Sequence, residues 1–342
     1  MSFAQVALAQ ATQKPQSADD DSGLAPVRPH PRIDSGQRSP LVLTPETRPE
    51  QAELGVPPKT NWDAPAKSAA IEDLTPTQTA QRLMEWSTAK SILSGHRLVM
   101  LGLMAGVFIA LGGAFFTAVM AELSLSHGPS RMLGGVAFST GLLLVCMFGA
   151  ELSTGNCMTL AAWATGSFTA REVRRNLLVS YTANAVGALI LVLLVAGSGL
   201  LQTGHGRVAA VIAEAKMNLT FEQAFFRGVL CNALVCVAVW LILAGRTLPS
   251  KLSGLIFPIT AFITLGFEHS IANFYLLPAG LLAGAAGSIG AAALNLLAVT
   301  LGNLVGGSII ALAVWFAYLR DSRIANQTSL KGAMVPSSQS TT

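Results

Sequence analysis

The sequence predicts an all-α membrane protein: six transmembrane helices in two inverted three-helix repeats, with the second and fifth helices broken. Three observations predict it. Of 342 residues, 51% are apolar and only 12% charged, about half the charge of an ordinary soluble domain. Mean hydropathy is +0.53, so a water-soluble surface cannot be covered. From about residue 98 the chain is a series of apolar runs near the ~20 residues that cross ~30 Å of hydrocarbon. Two of those runs are cut by the same polar pattern.

Taken in order, residues 1–76 hold 11 of the 16 prolines and almost no apolar periodicity. Such a composition buries too little apolar surface to offset chain entropy, and a disordered N-terminal tail is expected. Its first fifteen residues lack a charged start and a long apolar run, so no signal peptide is expected there. Residues 77–95 read as an interfacial amphipathic helix with Leu83, Trp86, Ile92 and Leu93 as its apolar stripe. The spans follow within 96–320: Leu98–Ala121, Met132–Gly149, Leu177–Leu200, Phe225–Ala244, one inside Leu252–Leu282, and Asn295–Tyr318. Residues 321–342 read as a second disordered tail, on the cytoplasmic side.

The loops set the orientation. The side holding both termini carries Lys90, Arg97, Arg171, Arg174, Arg175, Arg246, Lys251, Arg320 and Arg323; the other carries Arg131, Arg207 and Lys216. That asymmetry puts both termini in the cytoplasm, with the inner membrane as the expected location. Basic residues form no stripe of the kind that binds nucleic acid. Cys146, Cys157, Cys231 and Cys236 have neither metal-ligand nor secreted-disulfide spacing and read as small packing residues.

The two interruptions match each other. Gly149-Ala-Glu151-Leu152-Ser153-Thr154-Gly155-Asn156 and Gly266-Phe-Glu268-His269-Ser270-Ile-Ala-Asn273 both fit G-x-E-x-S-x-x-N. One span later Asn184-Ala-Val-Gly187 is echoed by Asn303-Leu-Val-Gly306. Three spans separate the copies, and an odd number forces opposite orientation. Irregular backbone at membrane depth is tolerated where it lines a cavity or packs in protein. Two such breaks in corresponding places point to a central site. Each break starts a half-helix whose free N–H groups and partial positive charge favour an anion.

Within the breaks, Glu151 and Glu268 are expected to cap those N–H groups. Ser153, Ser270, Asn156 and Asn273 read as turn and cap residues. Thr154 is open to two readings, a plain cap or a hydroxyl facing the pore. His269 titrates near neutrality. A lone histidine is more often a satisfied structural group, but an ionisable side chain at membrane depth is a functional hypothesis by default.

These residues resemble the formate/nitrite transporter family, over roughly residues 75–320. GAELSTGN resembles its second-span signature, RGVLCNALVCVAVW its fourth, GFEHSIANFY its fifth and LGNLVGG its sixth. The resemblance implies an aquaporin-like fold, a homopentamer with one pore per subunit, and a transmembrane anion channel domain over 96–320. It implies His269 as the central histidine, Thr154 facing it, Asn232 in the same polar centre and Lys216 in the outer vestibule. Phe138, Leu142 and Phe262 become apolar constrictions and Leu152 the cytoplasmic slit; periodicity alone would leave all four as lipid-facing or core residues. Ser153 departs from the Phe of many members, and Arg227 stands where some formate channels carry an apolar residue.

The implied substrate is a small monovalent anion of a weak acid, formate or nitrite first, with hydrosulfide, lactate and acetate as alternatives. A bare anion in a dry constriction costs many kcal/mol. Protonating a carboxylate of pKa about 4 at pH 7 costs about 4 kcal/mol, so neutralisation assisted by His269, with protons as co-substrate, is the cheaper route. A neutral-solute channel of the aquaporin type would show two Asn-Pro-Ala boxes, and the sequence has none. An intramembrane enzyme built on Glu268 and His269 would need a nucleophile or metal-ligand spacing beside them. No catalytic residue, metal or cofactor is expected.

Overall fold

The computed structural model describes residues 72–122 and 127–320, and they are helical almost throughout. The expected tail over 321–342, and all but the last residues of that over 1–76, lie outside the described residues. The helices are α1 (Pro76–Ser91), α2 (Gly95–Glu122), α3 (His127–Phe148), α4 (Ser153–Asn156), α5 (Thr159–Ala164) and α6 (Ala170–Gly197). After a 3-10 turn at Leu200–Gln202 come α7 (Gly204–Met217), α8 (Phe221–Ala244), α9 (Leu248–Leu265), α10 (Ser270–Leu282) and α11 (Ile289–Val314).

Six of these, α2, α3, α6, α8, α9 and α11, are long and apolar enough to cross a membrane. The protein is thus a multi-pass membrane protein. Six helices, α1, α6, α7, α8, α9 and α11, start at a threonine or serine cap. Thr75, Thr169 and Thr220 form capping boxes with Gln78, Glu172 and Gln223, and Thr203, Thr247 and Ser288 cap α7, α9 and α11.

Two close helix crossings carry the packing. A Cβ on Gly106 or Gly187 would collide with the backbone of Asn184 or Leu103, locking α2 onto α6. Gly302 and Gly306 meet the carbonyls of Phe225 and Val229 in the same manner, locking α8 onto α11. Small residues that admit a neighbouring backbone are how membrane helices associate without a hydrophobic driving force.

Two details differ from the sequence expectation. Helix α1 buries Thr79, Ala80, Leu83, Ser87 and Lys90, while Ile92 is 80% exposed beyond its end. Its buried face is small and polar because it lies on protein, where Ala80 and Leu83 share a buried cluster with Met158, Val239 and Leu243. Helix α7 was not foreseen, since GHGRVAAVIAEAKM is too short and too polar to read as a span.

Candidate functional site

Helices α3 and α9 end alike. Gly149 (φ 73°) and Gly266 (φ 70°) adopt the left-handed conformation that stops a helix. The amides just beyond reach back five residues, Ala150 to the Val145 carbonyl and Phe267 to that of Phe262, each at 2.9 Å. Leu152 and His269 are extended, and α4 and α10 begin at the next residues.

The backbone between is held by two asparagines. Asn184 Oδ1 accepts the Ser153 N–H at 2.9 Å, while its Nδ2 donates to the carbonyls of Gly102 (2.8 Å) and Glu151 (2.9 Å). Asn303 does the same for Ser270 N–H (2.9 Å) and the carbonyls of Gly228 (2.8 Å) and Glu268 (2.9 Å). Buried backbone groups of a non-helical segment need such partners.

The helix starts are therefore not capped by Glu151 and Glu268. Each carboxylate turns instead to a lysine and an asparagine, because a buried charge is best offset by an opposite one. Glu151 accepts from Lys90 Nζ at 2.5 Å and Asn156 Nδ2 at 2.8 Å; Asn156 also donates to Asn176 at 2.8 Å. Glu268 accepts from Lys216 Nζ at 2.9 Å and Asn273 Nδ2 at 2.8 Å; Asn273 also donates to Asn295 at 2.9 Å. These are the two salt bridges among the described residues. The hydroxyls of Ser153 and Ser270 make no hydrogen bond; their backbone amides are what the breaks use.

The two breaks meet at Thr154 and His269, whose Oγ1 and Nε2 lie 2.9 Å apart, with both residues buried. His269 Nδ1 accepts the Ala272 N–H at 3.2 Å. The imidazole proton therefore sits on Nε2, donated toward Thr154, which leaves the Thr154 hydroxyl hydrogen free for another partner. Asn232 touches Thr154 from behind: its Nδ2 donates to the carbonyls of Thr154 (3.3 Å) and Asn303 (2.6 Å). It thus braces the break backbone.

Beside His269 is a cavity of about 10 Å³, enclosed by Phe138, Leu142, Leu152 and Phe262 with Ile109, Val235 and Ile259. That is scarcely room for one water. Phe138 and Phe262 pack edge to face at 5.6 Å, and Phe262 lies 6.1 Å from the imidazole. Leu142 and Leu152 also line a much larger cavity of about 570 Å³, bounded by Lys90, Glu151 and Lys251. They form the wall between the two. Cys146 lines that larger cavity, and Cys157, Cys231 and Cys236 are buried; all four thiols are free.

The candidate residues read from sequence thus converge on one place. Missed were Lys90, which also lies 4.2 Å from the centre of the Trp86 ring, the supports Asn176 and Asn295, and the supporting role of Asn184 and Asn303, which the sequence marks only as a repeat. Lys90 had a signal, since it precedes Lys216 by 126 residues as Gly102 precedes Gly228. Arg227 donates to the Gly266 carbonyl at 3.3 Å, a cation at the negative end of α9.

Residues 77–317 match the family described as Formate/nitrite transporter. The chain is 33% identical over 273 residues to the Formate channel FocA of Escherichia coli K12, covering 73% of this chain and 96% of that one. A solved structure described as an FNT family ion channel matches with TM-score 0.65 at 28% identity, over 70% of this chain and 99% of the other. Another, a Pentameric formate channel with formate bound, matches with TM-score 0.57 at 31% identity, over 65% and 96% of the two chains.

Proposed function

The chain belongs to the formate/nitrite transporter family, and from that premise we propose that it carries small monovalent anions of weak acids, formate or nitrite first, through a pore in each subunit. The observation that carries this reading is the contact of Thr154 with His269, 2.9 Å, between two interrupted helices and behind apolar walls. We read α3–α4 and α9–α10 as broken spans of two inverted three-helix repeats. The paired asparagine, lysine and glutamate contacts support that relation. The bilayer, a homopentamer, an inner-membrane location and cytoplasmic termini belong to the same proposal.

Lys216 on one side and Lys90 on the other gather the anion. Each is already paired with a carboxylate, so an arriving anion shares the ammonium rather than meeting a bare charge. The first half-helix, α4, has only four residues, so most of the helix polarity at the waist comes from α10. The resting imidazole is neutral. Putting a proton on Nδ1 means displacing the Ala272 amide, so a charged His269 is a transient state. It forms when an anion beside it raises its proton affinity. The proton comes from bulk solution as co-substrate; the anion takes one proton from the imidazolium, which returns to its neutral Nε2–H form and regains the Ala272 amide, and Phe138, Leu142, Leu152 and Phe262 pass the neutral acid.

The test is uptake of formate and of nitrite into vesicles holding His269→Phe, at two pH values. Flux at least about tenfold below wild type, about 1.4 kcal/mol of barrier, is expected, together with loss of the pH response. Unchanged flux with an unchanged pH response removes the histidine from the mechanism.

A further inference from the structure

Helices α1 and α7 correspond residue for residue. The buried positions Thr79, Ala80, Leu83, Ser87 and Lys90 of α1 fall 126 residues before His205, Gly206, Ala209, Ala213 and Lys216 of α7. The chemistry differs at the first pair. Thr79 donates only to its own helix, to the Thr75 carbonyl at 2.9 Å. His205 instead joins three elements: its Nε2 lies 3.0 Å from Thr117 Oγ1 on α2 and 3.3 Å from the Tyr275 hydroxyl on α10. All three side chains are buried, and the transport site described above uses none of them.

We propose that His205 is a positioning residue for the entrance at Lys216: through Thr117 and Tyr275 it fixes the start of α7 against α2 and α10, and so holds Lys216 at the far end of α7 onto Glu268. A helix is a stiff rod, and the eleven steps from His205 to Lys216 rise about 16 Å. Along that length Gly280 of α10 admits Ala209 and Ala213 with no space to spare. Asn295 receives the far end, its Nδ2 donating to the Lys216 carbonyl at 2.9 Å. A tilt at one end is therefore felt at the other. Tyr275 in turn lies on the helix that begins next to His269.

The hold requires a neutral imidazole. Thr117 Oγ1 gives its own hydrogen to the carbonyls of Gly113 and Ala114, so toward His205 it accepts and Nε2 donates. A second proton on Nδ1 finds the same Thr117 oxygen 3.5 Å away and already engaged. Burial holds the imidazole below the ordinary histidine range. The contact is thus present above the unfolded value of about 6.5 and is lost as pH falls. Of the elements around it, α2 brings Thr117, α10 brings Tyr275, and α11 and the 3-10 turn bring no charged residue; α7 itself carries Arg207.

The inference rests on Lys216 as an anion collector, so two independent readouts are needed on the full chain in nanodiscs or vesicles. Amide exchange over 204–217, corrected for its intrinsic rate, is expected to be several-fold faster near pH 5.5 than near pH 7.5. His205→Gln, which keeps a donor but does not titrate, abolishes that difference; Tyr275→Phe reduces it. In parallel, the half-saturating formate concentration rises several-fold when the Lys216 side is acidified in wild type, and stays flat in His205→Gln. Exchange independent of pH in wild type, or a pH-dependent exchange or half-saturation kept by His205→Gln, overturns the proposal; the pH response of maximal flux belongs to His269 and is kept in that variant. A pH-dependent exchange with no formate uptake at any pH supports the hold and overturns the transport reading instead.

Discussion

The ion pairs Lys90–Glu151 and Lys216–Glu268 use one plan with two finishes. At both, a lysine from a short helix meets a glutamate just past a left-handed glycine, and an asparagine pair orients the carboxylate. At the first, the ammonium also stands over Trp86 and its side chain is 8% exposed; at the second, Ile212 takes the tryptophan's place and the exposure is 13%. The far ends differ as well, with apolar packing around Leu83 and Met158 in one case and the His205–Thr117–Tyr275 contact in the other. The network that shapes the backbone is duplicated, whereas the surroundings of each lysine are free to differ. The carboxylate and asparagine contacts are geometric necessities of the break; the rest can be tuned to each side of the membrane.

Removing one lysine gives the largest effect. Lys90→Met or Lys216→Met leaves a buried carboxylate without its cation, expected to cost about 3–5 kcal/mol, read as a fall in thermal midpoint of the detergent-solubilised protein. Lys216→Met combined with Glu268→Gln should regain much of that stability while anion uptake stays impaired. A single lysine variant as stable as wild type would mean that the pairing contributes nothing to the fold.

Next in size are the asparagines. Asn184→Ala and Asn303→Ala each leave one buried amide, that of Ser153 or Ser270, unpaired, at about 1–3 kcal/mol. Equal losses at the two sites are expected from equal geometry; a loss at one alone would show that the two breaks are not equivalent. The smallest effect separates the entrances. Trp86→Leu removes a cation–π contact of about 0.5–2 kcal/mol and should alter half-saturation only when the anion enters from the Lys90 side.

The spans were legible because hydrocarbon thickness imposes a length and an apolarity that the sequence cannot hide. The matching helix ends at Gly149 and Gly266 were legible because two copies of one pattern stand out where a single Gly-x-Glu would not. The role of Glu151 and Glu268 was misjudged, since a carboxylate before a helix start looks like a cap until the lysine that faces it is placed. Lys90 lies 61 residues before its partner, on a helix whose buried face is too small and polar to announce itself. His205, Thr117 and Tyr275 come from three distant segments and share no motif, so only the folded chain brings them together.

The paired asparagines have one more consequence. Each holds the short non-helical segment at two points and ties it by a third to the neighbouring helix α2 or α8, which leaves the narrowest part of the protein with no loose segment to swing. Passage through such a rigid throat needs no rocking of one half of the molecule against the other. Throughput should therefore climb only gently on warming, as diffusion in water does, rather than with the steep slope of a large rearrangement.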